Sequence, residues 1–373
     1  MSNMYAGLRR DIEDEGARKR CADRLLALRR RLAPLKGRRT DSNLLLATWN
    51  IRDFDSNKFG LGPRLAETFY YLAEVISCFD LVALQEVNRD LGPLEKLVRI
   101  LGREWDYIVT DTTEGTGGNG ERMAFLYNRE KVWFRKIAGE IVLPDGQLVV
   151  SPKTVKVDGE TIDTEAKQQF ARSPFLVAFQ AGWFRFSLCT VHIYYGKESG
   201  AQLQRRIDEI QSLAKFFAQR QDQASKQEKD SRGAVENYVL LGDFNVVSPE
   251  HETMAALKSH GFAVPAAIDG DKVRKKGMHF YDQIAVRVKD ERFQVRSGGI
   301  VDIFEDVFRD EDLPVYQAHM PAKDPEKGAT AAKTPEKLYQ KWRTWQMSDH
   351  SPLWIEVQTD FADTYLKALA EKG

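Results

Sequence analysis

The chain has 373 residues, enough for two or three domains at ~150 residues each, or for one large α/β domain with extensions. Apolar residues make up 42% and charged residues 29%, an ordinary balance that allows a sizeable core and excludes a disordered or fibrous chain. No apolar run approaches the ~18–20 residues of a bilayer crossing, so no membrane is expected.

Zero net charge hides an asymmetry, because residues 1–40 hold 12 Lys/Arg against 5 Asp/Glu, net +7, leaving −7 on the rest. Such an arm can touch nucleic acid or be a solvated helix, and without interleaved aromatics the solvated helix is the expectation. The first residues, MSNMYAGLRRDIEDEGARKR, lack the apolar stretch of a secretory leader. Cys21, Cys78 and Cys189 lie far apart with no CxxC spacing, and read as reduced, buried thiols of a cytoplasmic protein.

Along the chain, Tyr5–Leu35 has helical periodicity, closed by Pro34 and Lys36-Gly37. Leu44–Trp49 reads as a buried strand, Ala66–Phe79 as an amphipathic helix, and Asp80–Leu84 as a second strand. Further strands are expected at Tyr107–Thr110, Met123–Tyr127, Phe175–Phe179, Phe184–Thr190, Tyr238–Leu241, Tyr281–Val288 and Leu353–Val357. A helix over Gln202–Arg220 precedes a polar tract, Gln221–Gly233, that reads as a flexible loop. Two polar insertions stand out: Asp145–Gln169, a hairpin or flap, and Pro321–Thr344, rich in Lys, Ala and Pro. Strands buried on both faces and alternating with helices argue for a layered α/β domain. The expected organisation is a basic helical extension over 1–41, one catalytic domain over 42–360 and a helical tail over 361–373.

Polar residues of a limited set close the apolar strands. Asn50 follows LLLATW, Glu86 follows DLVALQ, His192 follows FSLCTV, Asp243 and Asn245 follow YVLLG, and Asp349 and His350 precede SPLWIEV. Strand ends are where an α/β sheet gathers distant residues into one site. Carboxylates and amides suit Mg²⁺ or Mn²⁺, and His titrates near neutrality. There is no GxxxxGK[ST] loop, no GxGxxG after a strand and no GxSxG elbow, which disfavours a P-loop ATPase, a Rossmann oxidoreductase or a serine hydrolase. Metal-assisted attack of water on a phosphate ester remains.

The ordered set WNIRDF, LQEVNRD, GERMAFLYNREKV, FARSPFLVAF, TVHIYY, LGDFN, FYDQIAV and SDHSP, spanning Leu44–Val357, resembles the endonuclease/exonuclease/phosphatase superfamily, most of all its deoxyribonuclease I branch. The resemblance implies a four-layer α/β/β/α sandwich with two mixed sheets. It implies Asn50, Glu86 and Asp349 as metal ligands, Glu86 foremost. Asp243 would orient or deprotonate water, and Asn245 would hold a phosphate oxygen. His192 and His350 would be the catalytic histidines, backed by Glu121 and Asp282 respectively, while Arg52 and Arg172 would bind phosphate. His251, His260, His279 and His319 fall outside every motif, although His279 lies three residues before Asp282. The Trp342–Trp345 pair reads as packing.

Relatives of this kind act on DNA, RNA, inositol lipids or sphingomyelin, so the fold leaves the substrate open. FYDQIAV and WNIRDF stand where inositol phosphatases would carry a WCDR-type block and abasic-site enzymes an NGIR-type block. DNA is therefore the expected partner. Asn88 in place of a basic residue, and missing disulfide loops, depart from the deoxyribonuclease pattern. A phosphatase or phosphodiesterase on a small or lipid phosphate is the alternative, and a non-catalytic binding module the remote one.

Overall fold

The computed structural model describes residues 4–112, 120–157, 160–227, 236–275, 278–325 and 334–371, without the side chains of 152–163, 227 and 272. Its centre is two mixed sheets. The first contains β1 (Asn43–Phe54), β2 (Leu81–Val87), β3 (Trp105–Val109), β4 (Arg122–Asn128), β12 (Val295–Ile300) and β13 (Leu353–Gln358), in the order β12-β13-β1-β2-β4-β3. The second contains β5 (Trp133–Glu140), β8 (Phe175–Ala181), β9 (Phe184–His192), β10 (Tyr238–Asp243) and β11 (Asp282–Arg287), in the order β11-β10-β9-β8-β5. β1 runs parallel to β2, and β9 to β10; the other pairings within these sheets are antiparallel. A separate hairpin, β6 (Val149–Val157) with β7 (Glu160–Gln168), forms in the Asp145–Gln169 insertion.

Alternation explains why these strands read as unbroken apolar runs. Leu44, Leu46, Leu81, Ala83 and Phe125 enter the core between the sheets, while Leu45, Ala47, Trp49, Val82 and Leu84 enter the core under the helices. That second core is closed by α2 (Glu15–Lys36), α3 (Ala66–Ile76), α4 (Gly92–Leu101) and α8 (Pro335–Gln346). On the far side of the second sheet lie α5 (Gly200–Gln227), through Ile207, Ile210, Leu213 and Phe217, and α6 (Glu252–Leu257). The result is the expected α/β/β/α sandwich. Short helices α1 (Leu8–Asp11), α7 (Leu313–Tyr316) and α9 (Ala362–Ala370) complete the described chain. Among the described residues no helix is long and apolar enough to cross a membrane.

Several expectations are corrected. The tract after Arg220 is not wholly a loop, because α5 continues to Gln227; residues 228–233 lie outside the described residues. Pro34 sits inside α2 instead of ending it. Only the last turn follows it, so few helical hydrogen bonds are lost, and Cys21, Leu25, Leu28 and Leu32 hold the helix by burial. The basic arm is not a solvated helix. Arg20 pairs with Glu67, Arg24 with Asp312, Arg31 with Asp306, Lys36 with Glu74 and Arg39 with Asp80. Its charge answers acidic groups of the body. The three cysteines are buried and unpaired.

Candidate active site

Register brings the strand-end residues together. Asp243 at the end of β10 stands opposite His192 on β9 and Asp282 on β11, a row across three neighbouring strands. Just before it, Gly242 runs at φ +134°, and a Cβ there would lie 2.2 Å from the Val191 carbonyl oxygen, so only glycine lets the strands close up. Asn50 reaches the row from the other sheet, its amide donating to Asp243 at 3.1 Å and to Glu86 at 2.9 Å. Beneath them Gln85 spans the sandwich, donating to Thr48 at 3.0 Å and to Thr190 at 2.8 Å.

Glu86 reaches the site through a break in alternation. Leu84 and Val87 both serve the helix-side core, and the pairing of β2 shifts register between them on β4. Glu86 itself has φ +60°, the left-handed region that few residues adopt, a bulge that re-aims its side chain. Arg52, Asp53 and Asn245 share that conformation at φ +51°, +43° and +51°. Non-glycine strain of this kind gathers where function holds it.

Each histidine is backed by a carboxylate. His192 Nδ1 lies 3.0 Å from Glu121, while its Nε2 lies 3.7 Å from Asp243 and 3.9 Å from Glu86. His350 Nδ1 lies 2.7 Å from Asp282, and its Nε2 3.8 Å from Asp243. Two imidazoles therefore converge on one carboxylate. The His350 loop is pinned to the end of β1, because Trp49 Nε1 donates to the His350 carbonyl at 2.9 Å and Ser348 Oγ donates to the Asn50 carbonyl at 2.6 Å.

The environments push the two histidines apart. Burial, with the nearby Arg172 charge, brings His192 down to about 4, so it is neutral at pH 7. Burial also works against a charged His350, but Asp282, then Asp243 and Asp349, outweigh it and hold the imidazolium well above the ordinary range. Burial raises Glu86 and Asp243 as well. Both still end below the ordinary carboxylate range, through the imidazoles and through hydrogen bonds from Asn50 and, for Asp243, the Asn245 backbone.

Other expected residues take different positions. Arg172 is buried behind His192, paired with Glu121 and donating to the His192 carbonyl at 3.3 Å, and does not stand open for a phosphate. Arg52 donates to Thr344 and lies 3.5 Å from Asp349. Asn245 spends one N–H on the Ile193 carbonyl at 2.8 Å. Asn50 turns its Oδ1 to the Arg52 N–H at 2.9 Å, so its carbonyl is not offered to the centre. Of the three expected ligands, Glu86 is the one whose carboxylate faces the centre.

The donor set of carboxylates and amides, without thiolate, fits a hard divalent cation. Donor atoms of Glu86, Glu121 and His192 lie within 4.8 Å of one another. A cation among all three would displace the ion pair of Glu121 with Arg172, so Glu86, ionised and partly accessible, is the better fit.

The sequence reading missed the residues that hold these loops. Arg206, buried on α5, donates to the carbonyls of Tyr195 at 2.9 Å, Lys197 at 2.9 Å and Asn245 at 3.0 Å. Glu209, one turn on, accepts from the Ala171 N–H at 2.9 Å and the Tyr194 N–H at 3.2 Å. Buried Arg64 donates to the carbonyls of Ile51 and Arg52 at 2.7 and 2.9 Å, and its guanidinium lies over the Phe54 and Trp345 rings. The signal was present for α5, where charged Arg206 interrupts the apolar stripe of Leu203, Ile207 and Ile210.

No protein-family model matches the sequence, and no curated protein matches it. Solved structures do. An endonuclease/exonuclease/phosphatase family protein from Bacteroides thetaiotaomicron is 17% identical over 85% of this chain and 95% of that one, with a TM-score of 0.47. The human Nocturnin catalytic domain with bound sulfate is 14% identical over 85% and 94%, with a TM-score of 0.48. Humanized D. rerio TDP2 is 13% identical over 85% and 100%, with a TM-score of 0.46. At such identities and TM-scores the likeness concerns the path of the chain, and the chemistry has to come from this chain's own residues.

Proposed function

We propose that the protein is a divalent-metal-dependent phosphodiester hydrolase, most like a deoxyribonuclease I-type endonuclease, with DNA as its substrate. The observation that carries the reading is the convergence of two carboxylate-backed histidines on Asp243, beside an ionised Glu86. Paired titratable groups pushed to opposite protonation states are the mark of acid–base assignment.

In this reading Glu86 would hold a divalent cation, with Asp349 at the margin and Asn50 orienting the Glu86 carboxylate by its hydrogen bond, and the bound cation would supply Lewis-acid polarisation of a phosphoryl oxygen. Asp243 orients the attacking water. Neutral His192 accepts a proton at Nε2, with the Glu121 carboxylate 3.0 Å from Nδ1 to steady the imidazolium that forms. Protonated His350, steadied by Asp282, donates a hydrogen bond to the phosphoryl group and favours the charge that builds up in the transition state. Asn245 has a second N–H for a phosphate oxygen, while Arg172 and Arg52 act from behind the site by fixing Glu121 and Asp349. The three buried thiols support a reducing, cytoplasmic setting.

A second reading, a phosphatase or phosphodiesterase on a small or lipid phosphate, is favoured by one feature. The cleft beside His350 and Asp349 measures about 370 Å³, the size of a small-ligand site. Nicking of supercoiled plasmid, run beside phosphate release from small monoesters with and without Mg²⁺ or Mn²⁺, separates the two. Metal-dependent nicking supports the first reading. Phosphate release without nicking supports the second.

A further inference from the structure

The cleft beside His350 has an aromatic wall that no role above uses. His279 and Tyr281 stack with ring centroids 4.4 Å apart and planes 5° from parallel. Tyr281 stands 6.0 Å from the His350 ring, and Tyr195 meets its edge at 6.0 Å. His279 is exposed and Tyr195 is 39% exposed, so faces of this group are open to solvent. Both stacked rings line the same cleft as Arg274, Met278, Asp349 and His350. The wall is fixed from behind. Arg206 lies 4.5 Å from the Tyr195 ring centre while bonding its carbonyl, and Arg274 donates to the Asp282 carbonyl at 2.9 Å.

An exposed imidazole lying flat on a phenol has one π face that the phenol does not cover, and planar rings are what such a face takes up best. Next to it, 6.0 Å from the Tyr281 ring, sits the imidazole expected to meet the phosphate.

We propose that His279 and Tyr281 form a stacking platform for the nucleobase of the nucleotide whose phosphate is bound at His350. The substrate is then nucleotidic instead of a sugar or lipid phosphate. The proposal deepens the phosphodiesterase reading and rests on it for the position of the phosphate. Stacking reads no base edge, so the platform tolerates every base. His279 is a positioning residue here, acting through its ring face and not through its charge.

The test is binding of thymidine 5′-phosphate against 2-deoxyribose 5-phosphate to the full chain with Mg²⁺, by calorimetry or ligand NMR. The wild type is expected to prefer the thymidine compound about tenfold or more, the scale of one base–aromatic stack. His279→Ala should remove most of that preference with little change for the sugar phosphate, and His279→Phe should restore it. Tyr281→Leu serves as the second variant. Equal affinity for the two compounds, no binding of either, or a preference unchanged in His279→Ala overturns the platform. Hydrolysis is scored separately. A stacking preference without metal-dependent cleavage of any ester would defeat the phosphodiesterase reading and leave the platform standing.

Discussion

Replacing Arg206 probes the scaffold on which the candidate site depends. Its guanidinium ties three carbonyls from two site loops: Tyr195 and Lys197 after His192, and Asn245 after Asp243. In Arg206→Gln the charge goes, and a shorter side chain with two N–H donors in place of five cannot span all three carbonyls. The exposed Tyr195–Lys197 segment can recover its hydrogen bonds from water. Asn245 is only 4% exposed, and leaving its buried carbonyl unpaired costs ~1–3 kcal/mol. With the lost packing of the side-chain stem, the expected destabilisation is about 2–4 kcal/mol. At ~2.1 cal/mol/K of unfolding entropy per residue, a chain of 373 residues shifts by about 1.3 °C per kcal/mol, so the melting temperature should fall by roughly 3–5 °C. Turnover should fall further than stability explains, because a shift of ~1 Å at a reacting group can cost ~10²-fold. Arg206→Lys keeps a charged donor and should recover part of both. The assays are thermal unfolding by circular dichroism, and phosphodiester cleavage at a temperature where the variants stay folded. Wild-type melting and wild-type turnover in Arg206→Gln would refute the reasoning.

Other expectations follow from single features. His192→Ala and His350→Ala should each lower turnover by ~10²-fold or more without unfolding the chain, since acid–base groups contribute on that scale; steady-state kinetics with a circular dichroism control checks this. Leu28→Ala, on the fully buried face of α2, should cost ~2–5 kcal/mol in denaturant melts while leaving turnover per folded molecule unchanged. Burial raises the Asp302 carboxyl, but the hydrogen bond and charge of Lys275, at 2.6 Å, outweigh it and bring it below its ordinary value. Its contribution to stability is therefore present above about pH 4 and is lost as pH falls through the lower folded value. Melting curves from pH 6 to pH 2.5 should show a shallower acid loss in Asp302→Asn than in the wild type.

The strands were legible because burial on both faces left them as continuous apolar runs, and the candidate site could be singled out because polar residues closed those runs. What escaped has physical causes. β5, WFRKIAGE, is an edge strand whose side chains are mostly exposed, and it carries no core pattern. β12, VRSGGI, is another edge, and its Gly298 is required where a Cβ would meet Ile268 at 2.5 Å. The end of α5 is polar on all sides, so composition made it look like a loop. Arg206, Glu209 and Arg64 work on backbone groups of loops far away in sequence, and no local spacing announces such partners. Glu86 was found by its motif, but its left-handed turn could not be read from residue type. The arm's arginines were visible as charge; their acidic partners, scattered from Glu67 to Asp312, were visible only in the fold.

The central claim is that one hydrolytic centre forms around Glu86, Asp243 and the two histidines. Its most direct test is a crystal structure of the wild-type protein soaked with Mn²⁺ and measured for anomalous scattering. The account predicts a peak ~2.0–2.6 Å from a Glu86 carboxylate oxygen, absent in Glu86→Gln, with Glu121 still paired to His192 and Arg172. A peak coordinated by both Glu121 and His192, or no peak at Glu86 at saturating Mn²⁺, would contradict it.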